Sequence, residues 1–510
     1  MEPLEGIGNE FCATGAPESQ CLCSEKHRFL NMILNRTSYT GHVDIYDRKS
    51  WETFAHVWHI LWTIAPVVYF FAIARIVGQV IEKKSSPHAV CRFLIGFVLI
   101  VVPTVLIVNV LNSYVGYVML FLCVFSLAAL YVVYAKKKQN RTYNLGGSRP
   151  FVLTLDRATI NLLTALCILA VDFEMFPKHF RKTRRYGVGL MDVGIGLFVF
   201  AMGTVSRPPK KVAHLKQTLW TVVPLLVLGL MRTLVIMLIN YEQDEHEYGV
   251  HMNAFFTLGL TKLFGCLISG LVRHRFTHLI AGSALLALHE YGLQHTVSTF
   301  VMNSDIPRDT LLRANREGIC SLPGFIALYL LSIYIGQCLR LEDKVLSYRV
   351  FINKLKVLGV VNIGMWLLVA GCIFTVSIAR VTCNYGYVIW ILAVALTMTF
   401  LFTMVFHLIL NSLCSNYDRK AVNESSEVEG LDNSTEVTTC NANTLPVLVE
   451  AVNMNGLVFF LLSNVLTGAV NIFLQPKKRS DFESLLILNS YMLITTGFVY
   501  VLHRLKIRIA

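Results

Sequence analysis

The sequence predicts an all-α membrane protein, a polytopic bundle of about thirteen transmembrane helices, and three observations predict it. Hydrophobic residues make up 55% of the 510-residue chain and charged residues only 15%, against roughly a quarter charged in an ordinary soluble domain. Mean hydropathy over the chain is +0.56. Apolar runs of about 18 to 25 residues, the length that crosses ~30 Å of hydrocarbon, recur along the chain after its first fifty residues. These runs do not alternate in polarity, so they are helices and not barrel strands, because lipid offers no partner for an unpaired backbone group.

In chain order, a polar segment covers residues 1–52, with Cys12, Cys21 and Cys23 among polar neighbours. It holds no short apolar core followed by a small-residue cleavage site, so the first span is expected to serve as the targeting signal. The transmembrane domain, 53–505, then places spans at 53–76, 90–113, 115–135, 157–175, 187–205, 217–240, 252–273, 276–293, 321–340, 356–379, 385–413, 452–475 and 484–503. One long polar insert, 415–446, has Tyr417 as its sole aromatic residue and is expected to be a disordered cytosolic loop. Most of the thirteen cysteines stand singly inside spans and read as small apolar side chains, so no metal site is expected. There is no glycine-rich phosphate loop, no dinucleotide fingerprint and no internal repeat, which removes support for ATP-driven transport and dinucleotide chemistry. Neither a nucleic-acid partner nor an obligate protein partner is expected.

Lys and Arg collect in short cytosolic loops. With a lumenal N-terminus and a cytosolic C-terminus, the inside loops hold Lys83 and Lys84, the Lys136–Arg141 run, Arg207 to Lys216, Arg273 and Arg275, Arg340 to Lys356, and Arg504 to Arg508. The stretch "YEQDEHEYGVH" on the opposite side is acidic and has no Lys or Arg. On this layout Asn35 is lumenal and open to glycosylation, whereas Asn140, Asn423 and Asn433 are cytosolic.

One stretch runs against the rule. "ILAVDFEMFPKHFRKTRRYGVGLMDVGIGLFVF", residues 168–200, ends an apolar run on Asp172 and then sets Lys178, Arg181, Lys182, Arg184 and Arg185 on the lumenal edge. Lys477, Lys478 and Arg479 are a weaker exception. Basic side chains reaching for lipid headgroups explain the cluster, and so does an anion-handling site. A continuous helix would put Asp172 and Lys182 on different faces, but Pro177 breaks it and lets Lys182 turn back toward Asp172. An ion pair at the mouth of an apolar cavity is an acid/base device: Asp172 accepts a proton from a hydroxyl, and Lys182 keeps it ionised or steadies an oxyanion.

Charges inside spans are costly and face the bundle interior. Asp192, Arg232, Lys262 and Glu290 are such residues, and Asp192 is expected to pair with Arg232 or Lys262. His251 in "EYGVHMNAFF" is the alternative base, ahead of His246, His289 and His295. Asn315, Arg316 and Glu317 form a second polar cluster on the lumenal side, a candidate headgroup contact.

The segments "LAVDFEMFPKHFRKTRRYGVGLMDVGIGLFVF", "EYGVHMNAFF", "LLRANREGICSLPGF" and "FFLLSNVLTGAVNIFL", in this order over roughly 50–505, closely resemble the GPI inositol acyltransferases, the phosphatidylinositol-glycan biosynthesis class W proteins. The resemblance implies a multi-pass enzyme of the endoplasmic reticulum membrane. Such an enzyme moves a fatty acyl group, typically palmitoyl, from acyl-CoA to the inositol 2-hydroxyl of glucosaminyl-phosphatidylinositol. It implies no cofactor, acyl-CoA being a co-substrate. It also implies that the Asp of "VDF" and the Lys of the following "F-x-K-T", here Asp172 and Lys182, are the catalytic pair. Lys178, Arg181, Arg184 and Arg185 would then draw the phosphates of lipid or CoA, with Asp192, Arg232, His251, Asn315 and Arg316 as further substrate-binding candidates. This chain departs from the pattern in its added charge at Arg184 and Arg185 and its longer polar N-terminus. Two other classes remain open: a lipid transporter or flippase, against which the missing inverted repeat speaks, and a non-catalytic membrane scaffold.

Overall fold

The apolar runs fold as helices, as segments that must satisfy their own backbone in lipid are bound to do. The structure is a computed structural model that describes residues 50–84, 88–135, 142–147, 150–207, 212–238, 245–272, 274–340, 345–410 and 445–509. Outside the described residues lie 1–49, with Asn35 and Cys12, Cys21 and Cys23, and 411–444, with Asn423, Asn433 and most of the polar insert. So do Lys136, Lys137, Lys138, Asn140, Arg141, Lys210, Lys211, Arg273 and Lys344 from the basic loops, and the beginning of the acidic one.

The helices are α1 (Ser50–Ile64), α2 (Pro66–Lys84), α3 (Ala89–Asn109), α4 (Val115–Ala135), α5 (Phe151–Ala170), α6 (Leu190–Val205), α7 (Val212–Leu238) and α8 (Ala254–Leu271). They continue as α9 (Arg275–Gly292), α10 (Arg316–Leu339), α11 (Tyr348–Thr375), α12 (Tyr385–Leu410), α13 (Val447–Met454), α14 (Gly456–Leu474) and α15 (Asp481–Arg504). Two short strands, β1 (Thr142–Asn144) and β2 (Val345–Ser347), pair antiparallel with Tyr143 opposite Leu346.

Among the described residues eleven helices are long and apolar enough to cross a membrane, α1 and α2 counting together as one. The expected count of about thirteen included two more. The run at 187–205 folds as the sixteen-residue α6, short of the ~20 residues that a bilayer needs. The run at 276–293 folds as α9, which Arg275, His278, His289 and Glu290 make too polar to qualify. Both are held by protein: α6 is buried against α5, α10 and α12, and α9 packs along α10.

Connections gather at two ends of the bundle. At one end the β1–β2 clasp joins the chain before α5 to the chain before α11, with Tyr143 stacked on Phe351 at 4.4 Å. There Arg340 also donates to the carbonyls of Thr204 and Ser206, and Asn455 bonds the backbone of Ile507 and Ile509. At the opposite end lie the loops 171–189, 245–253, 303–315, 376–384 and 475–480.

The central seam is between α6 and α10, and it depends on glycine. A Cβ on Gly203 would meet Ser332 Cβ at 2.6 Å and Tyr329 O at 2.8 Å, and one on Gly336 would meet Thr204 O at 2.2 Å. The two backbones therefore touch, as small residues allow between membrane helices. Around this seam the core is built from buried residues such as Phe200, Phe325, Tyr387 and Trp390.

Candidate active site

One extra turn prolongs α5, with Asp172 N–H donating to Leu169 O at 3.1 Å, and this sets Asp172 just past the helix end. Phe173, Phe176 and Phe180 then plunge into the core and pin the following loop. As expected, the helix does not continue through Pro177. Lys178, Arg181, Lys182, Arg184 and Arg185 are left on the outer side, all exposed. His179 lies between His56 and His59, with ring centroids 5.5 and 5.0 Å away, and burial together with these two rings lowers its pKa to about 4. It is therefore neutral near pH 7, and the loop's charge comes from its Lys and Arg residues.

The expected ion pair between Asp172 and Lys182 is not formed. Lys182 Nζ instead meets Glu247 Oε1 at 2.5 Å, and Asp172 Oδ2 accepts a hydrogen bond from Asn471 Nδ2 at 2.9 Å. The loop before α8 delivers a carboxylate directly to the ammonium, while the end of α14 delivers an amide to Asp172. Burial raises the Asp172 pKa, and the Asn471 hydrogen bond and the charges of Lys477, Arg181 and Lys182 offset this in part. Asp172 is thus drawn toward the range of a useful base, with Lys182 close enough to act on it through space.

A second correction concerns Asp192. It pairs with neither Arg232 nor Lys262 but with Arg380, whose Nε donates to Oδ1 at 2.7 Å. Its other oxygen accepts from Thr183 N, Thr183 Oγ1 and Gly189 N at 3.1, 2.9 and 3.0 Å. Tyr387 donates its hydroxyl to the Asp192 carbonyl at 2.7 Å. Asp192 is thus the peg on which the basic loop hangs, through Thr183, the residue after Lys182. Burial opposes the charge on Arg380, yet Asp192, Tyr248, Glu247 and Tyr387 together outweigh it and raise the guanidinium's pKa.

These loops roof a cavity of about 180 Å³. Its walls are apolar: Ile160, Leu163, Cys167 and Ile168 from α5, seven residues of α6 including Phe198, Phe255 and Leu258 from α8, and Phe460 from α14. Its rim is polar: Lys182, Arg232, Glu247, Tyr248 and Arg380. Asp172 lies one turn beyond Ile168, and its partner Asn471 lies two turns beyond Asn464, another lining residue. Burial raises the Tyr248 pKa to about 12, so it is a neutral phenol at the rim, with Arg380 over its ring at 5.7 Å. An apolar slot ending in cations beside a carboxylate of raised pKa suits a long acyl chain whose reactive end sits at the rim.

The remaining candidates serve the scaffold. Asn315 Oδ1 accepts from His251 N and Met252 N at 2.8 and 2.9 Å, and its Nδ2 donates to His251 Nδ1 at 3.2 Å. His251 is therefore tied to Asn315 rather than lining the cavity. Arg316, expected to meet a headgroup, is buried, and its two terminal nitrogens donate to Ile306 O and Asn303 O at 3.0 and 2.8 Å. Arg308 bridges Glu317 and Glu245, locking loop 303–315 to loop 245–253. Glu290 accepts from Tyr385 N at 2.8 Å, and His289 donates to Thr382 O at 2.9 Å, which fixes the loop carrying Arg380.

Sequence reading missed Glu247, Tyr248, Arg380 and Asn471. Arg380 had a signal, a lone cation between two apolar runs, and Glu247 lay in the acidic loop already noted. Asn471 had none, since an Asn in a span is common and its partner is 299 residues away. Among the described residues no group of three or more His, Cys, Asp or Glu side chains could hold a metal ion.

Comparison with known proteins adds a lineage. A family model described as GWT1 matches residues 51–502. The "GPI-anchored wall transfer protein 1" of Schizosaccharomyces pombe is 32% identical, covering 70% of this chain and 72% of its own. The protein of the same name from Aspergillus fumigatus is 30% identical, covering 71% and 73%. The "Glucosaminyl-phosphatidylinositol-acyltransferase PIGW" of Bos taurus is 28% identical, covering 82% and 89%.

Proposed function

The chain belongs to the GWT1 family, and from that premise we propose that it acylates the inositol of glucosaminyl-phosphatidylinositol, using acyl-CoA as donor, in the endoplasmic reticulum membrane. The observation that carries this reading is the apolar cavity whose polar rim holds Lys182, with Asp172 one turn past its wall. A flippase would need a passage for a whole headgroup, and a scaffold has no need of a raised carboxyl beside a cation-rimmed acyl slot.

The acyl chain lies among the α5, α6, α8 and α14 side chains, which places the thioester carbonyl at the rim. Asp172 accepts the proton of the inositol hydroxyl as its oxygen attacks that carbonyl carbon. The carbonyl oxygen becomes an oxyanion, and the ammonium of Lys182, held by Glu247, stabilises it. Collapse breaks the C–S bond and forms the ester, the thiolate leaves, and the proton on Asp172 passes to it. Asn471 orients the base, and Arg232, Arg380 and the exposed Lys178, Arg181, Arg184 and Arg185 attract the phosphates of the two substrates. Because the basic loops at the β1–β2 end match the cytosolic bias, the site-bearing end faces the lumen in this reading.

The test is a microsomal assay in cells that lack their own activity, with labelled acyl-CoA and glucosaminyl-phosphatidylinositol. Label on the inositol in the presence of the parental chain, and none with Asp172→Asn, is the expected result. Altered sidedness of an unmodified glycolipid would favour a flippase, and neither change would favour a scaffold.

A further inference from the structure

A second cavity, about 900 Å³, shares no lining residue with the first. It is a cleft between α9, α10, α11 and α12. Helix α11 packs on α12 and on the β1–β2 clasp but stands off α9 and α10, and the gap is lined by apolar side chains from all four. On α12 it runs from Thr403 to Tyr385, about 27 Å at 1.5 Å per residue, so it spans most of the ~30 Å hydrocarbon layer. Val357, Val361 and Leu368 of α11, which line it, are 64%, 47% and 47% exposed to whatever fills the gap. A dry apolar volume of this size does not hold water, and in a bilayer hydrocarbon chains are the material at hand to occupy it.

The mouth identifies the head that goes with those chains. At the end with the clasp, the lining includes Arg275 and Lys354 beside Asn353 and Tyr334. Both cations are exposed, and neither forms an ion pair with a described carboxylate. Two cations with no carboxylate partner among the described residues, Arg275 lying over the Phe276 ring at 5.0 Å, stand over an apolar cleft between transmembrane helices and make a receptor for a phosphate headgroup. We propose that this cleft holds an anionic glycerophospholipid of the membrane, with its chains along α11 and α12 and its phosphate at Arg275 and Lys354. The site is separate from acyl transfer, so its test does not depend on the reaction.

Native mass spectrometry of the purified full-length chain, in mixed micelles of phosphatidylcholine and phosphatidylserine at about 4:1, reads out retained lipid. Phosphatidylserine should be retained about tenfold or more over phosphatidylcholine, from two cations acting at the interface. Arg275→Gln with Lys354→Gln should abolish the preference, so that phosphatidylserine is retained no better than phosphatidylcholine. Ser283→Phe, which fills the wall without touching charge, should release both lipids. The double charge variant lies on the surface, so it keeps the test decisive if the filled variant fails to fold. Equal retention of the two lipids by the parental chain overturns the proposal. So does undiminished phosphatidylserine retention in the double variant, or one-for-one displacement of the lipid by a long-chain acyl-CoA, which would reassign the cleft to the thioester.

Discussion

Replacing Asn471 by Leu tests whether Asp172 is the base that the rate reports. Asn471 Nδ2 donates to Asp172 Oδ2 at 2.9 Å, and this bond favours the carboxylate over the acid. Hydrogen bonds to charged groups contribute about 1.5–3 kcal/mol, and ~1.4 kcal/mol corresponds to one pH unit, so full burial would give a shift of one to two units. Asp172 is half-buried and keeps the influence of Lys477, Arg181 and Lys182, so screening selects the lower end, about one unit. The sign follows from the protonation state that works. Burial already raises the Asp172 pKa, loss of Asn471 raises it further, and a base must be deprotonated, so activity fails at a higher pH as the medium is acidified. The measurement is kcat/KM for acyl transfer across pH in purified protein. The acid limb of Asn471→Leu should lie about one unit above the parental limb, with a plateau at high pH within a few-fold of the parent. A parental limb with a plateau depressed at every pH would refute the reasoning and leave Asn471 a structural residue.

Asp172→Asn should lower the rate by roughly 10²–10⁴ with unchanged thermal unfolding. Lys182→Met should cost a comparable factor, and the double variant much less than their product, whereas near-parental turnover by Asp172→Asn would remove it from the mechanism. Arg380→Met strands the buried Asp192 charge and should cost ~3–5 kcal/mol of stability, read as a lowered melting temperature in detergent; an unchanged melt would mean that the pair is dispensable. His251→Ala should retain substantial acyl transfer, since its ring serves Asn315; a dead His251→Ala beside a live Asp172→Asn would hand the base role to the histidine. Replacing any two of Lys178, Arg181, Arg184 and Arg185 by Ala should raise KM by an amount worth ~1 kcal/mol, more than it lowers kcat, and an unchanged KM for both substrates would leave the cluster to lipid headgroups.

Helices were legible because hydrocarbon imposes its own length and polarity, and a run such as 385–413 has no other way to be satisfied. The runs at 187–205 and 276–293 fall short of that measure for different reasons: α6 is short and buried among its neighbours, and α9 carries polar residues on the face that packs against α10 and leaves Phe276, Ile280 and Leu288 exposed. Of the site, the loop around Asp172 and Lys182 was visible from its charge against the topology and its proline break. Their partners were not. Asp192 offered two in-span cations as partners, and the structure chose a third, Arg380, 188 residues away, because a loop between α11 and α12 comes down over the α6 N-terminus. Helix periodicity names the face that is buried, not which of several polar residues will meet across it. Asn315 and Arg316 show the same limit: polarity near a membrane edge announces a hydrogen-bonding need, and here the chain's own backbone meets it.

The glycine seam between α6 and α10 governs how the acyl cavity can change size. With Gly203 and Gly336 already at backbone contact, and the start of α10 riveted through Arg316 and Glu317, the α6 wall has nowhere to retreat. The opposite wall is different: α7 and α14 are largely lipid-facing, and the edge-on contact of Phe255 with Phe460, at 5.7 Å between centroids, is the closure between α8 and α14. On the reading proposed above, an acyl chain longer than this volume would have to find its room on the α8–α14 side, where Phe255 meets Phe460, and not against α6.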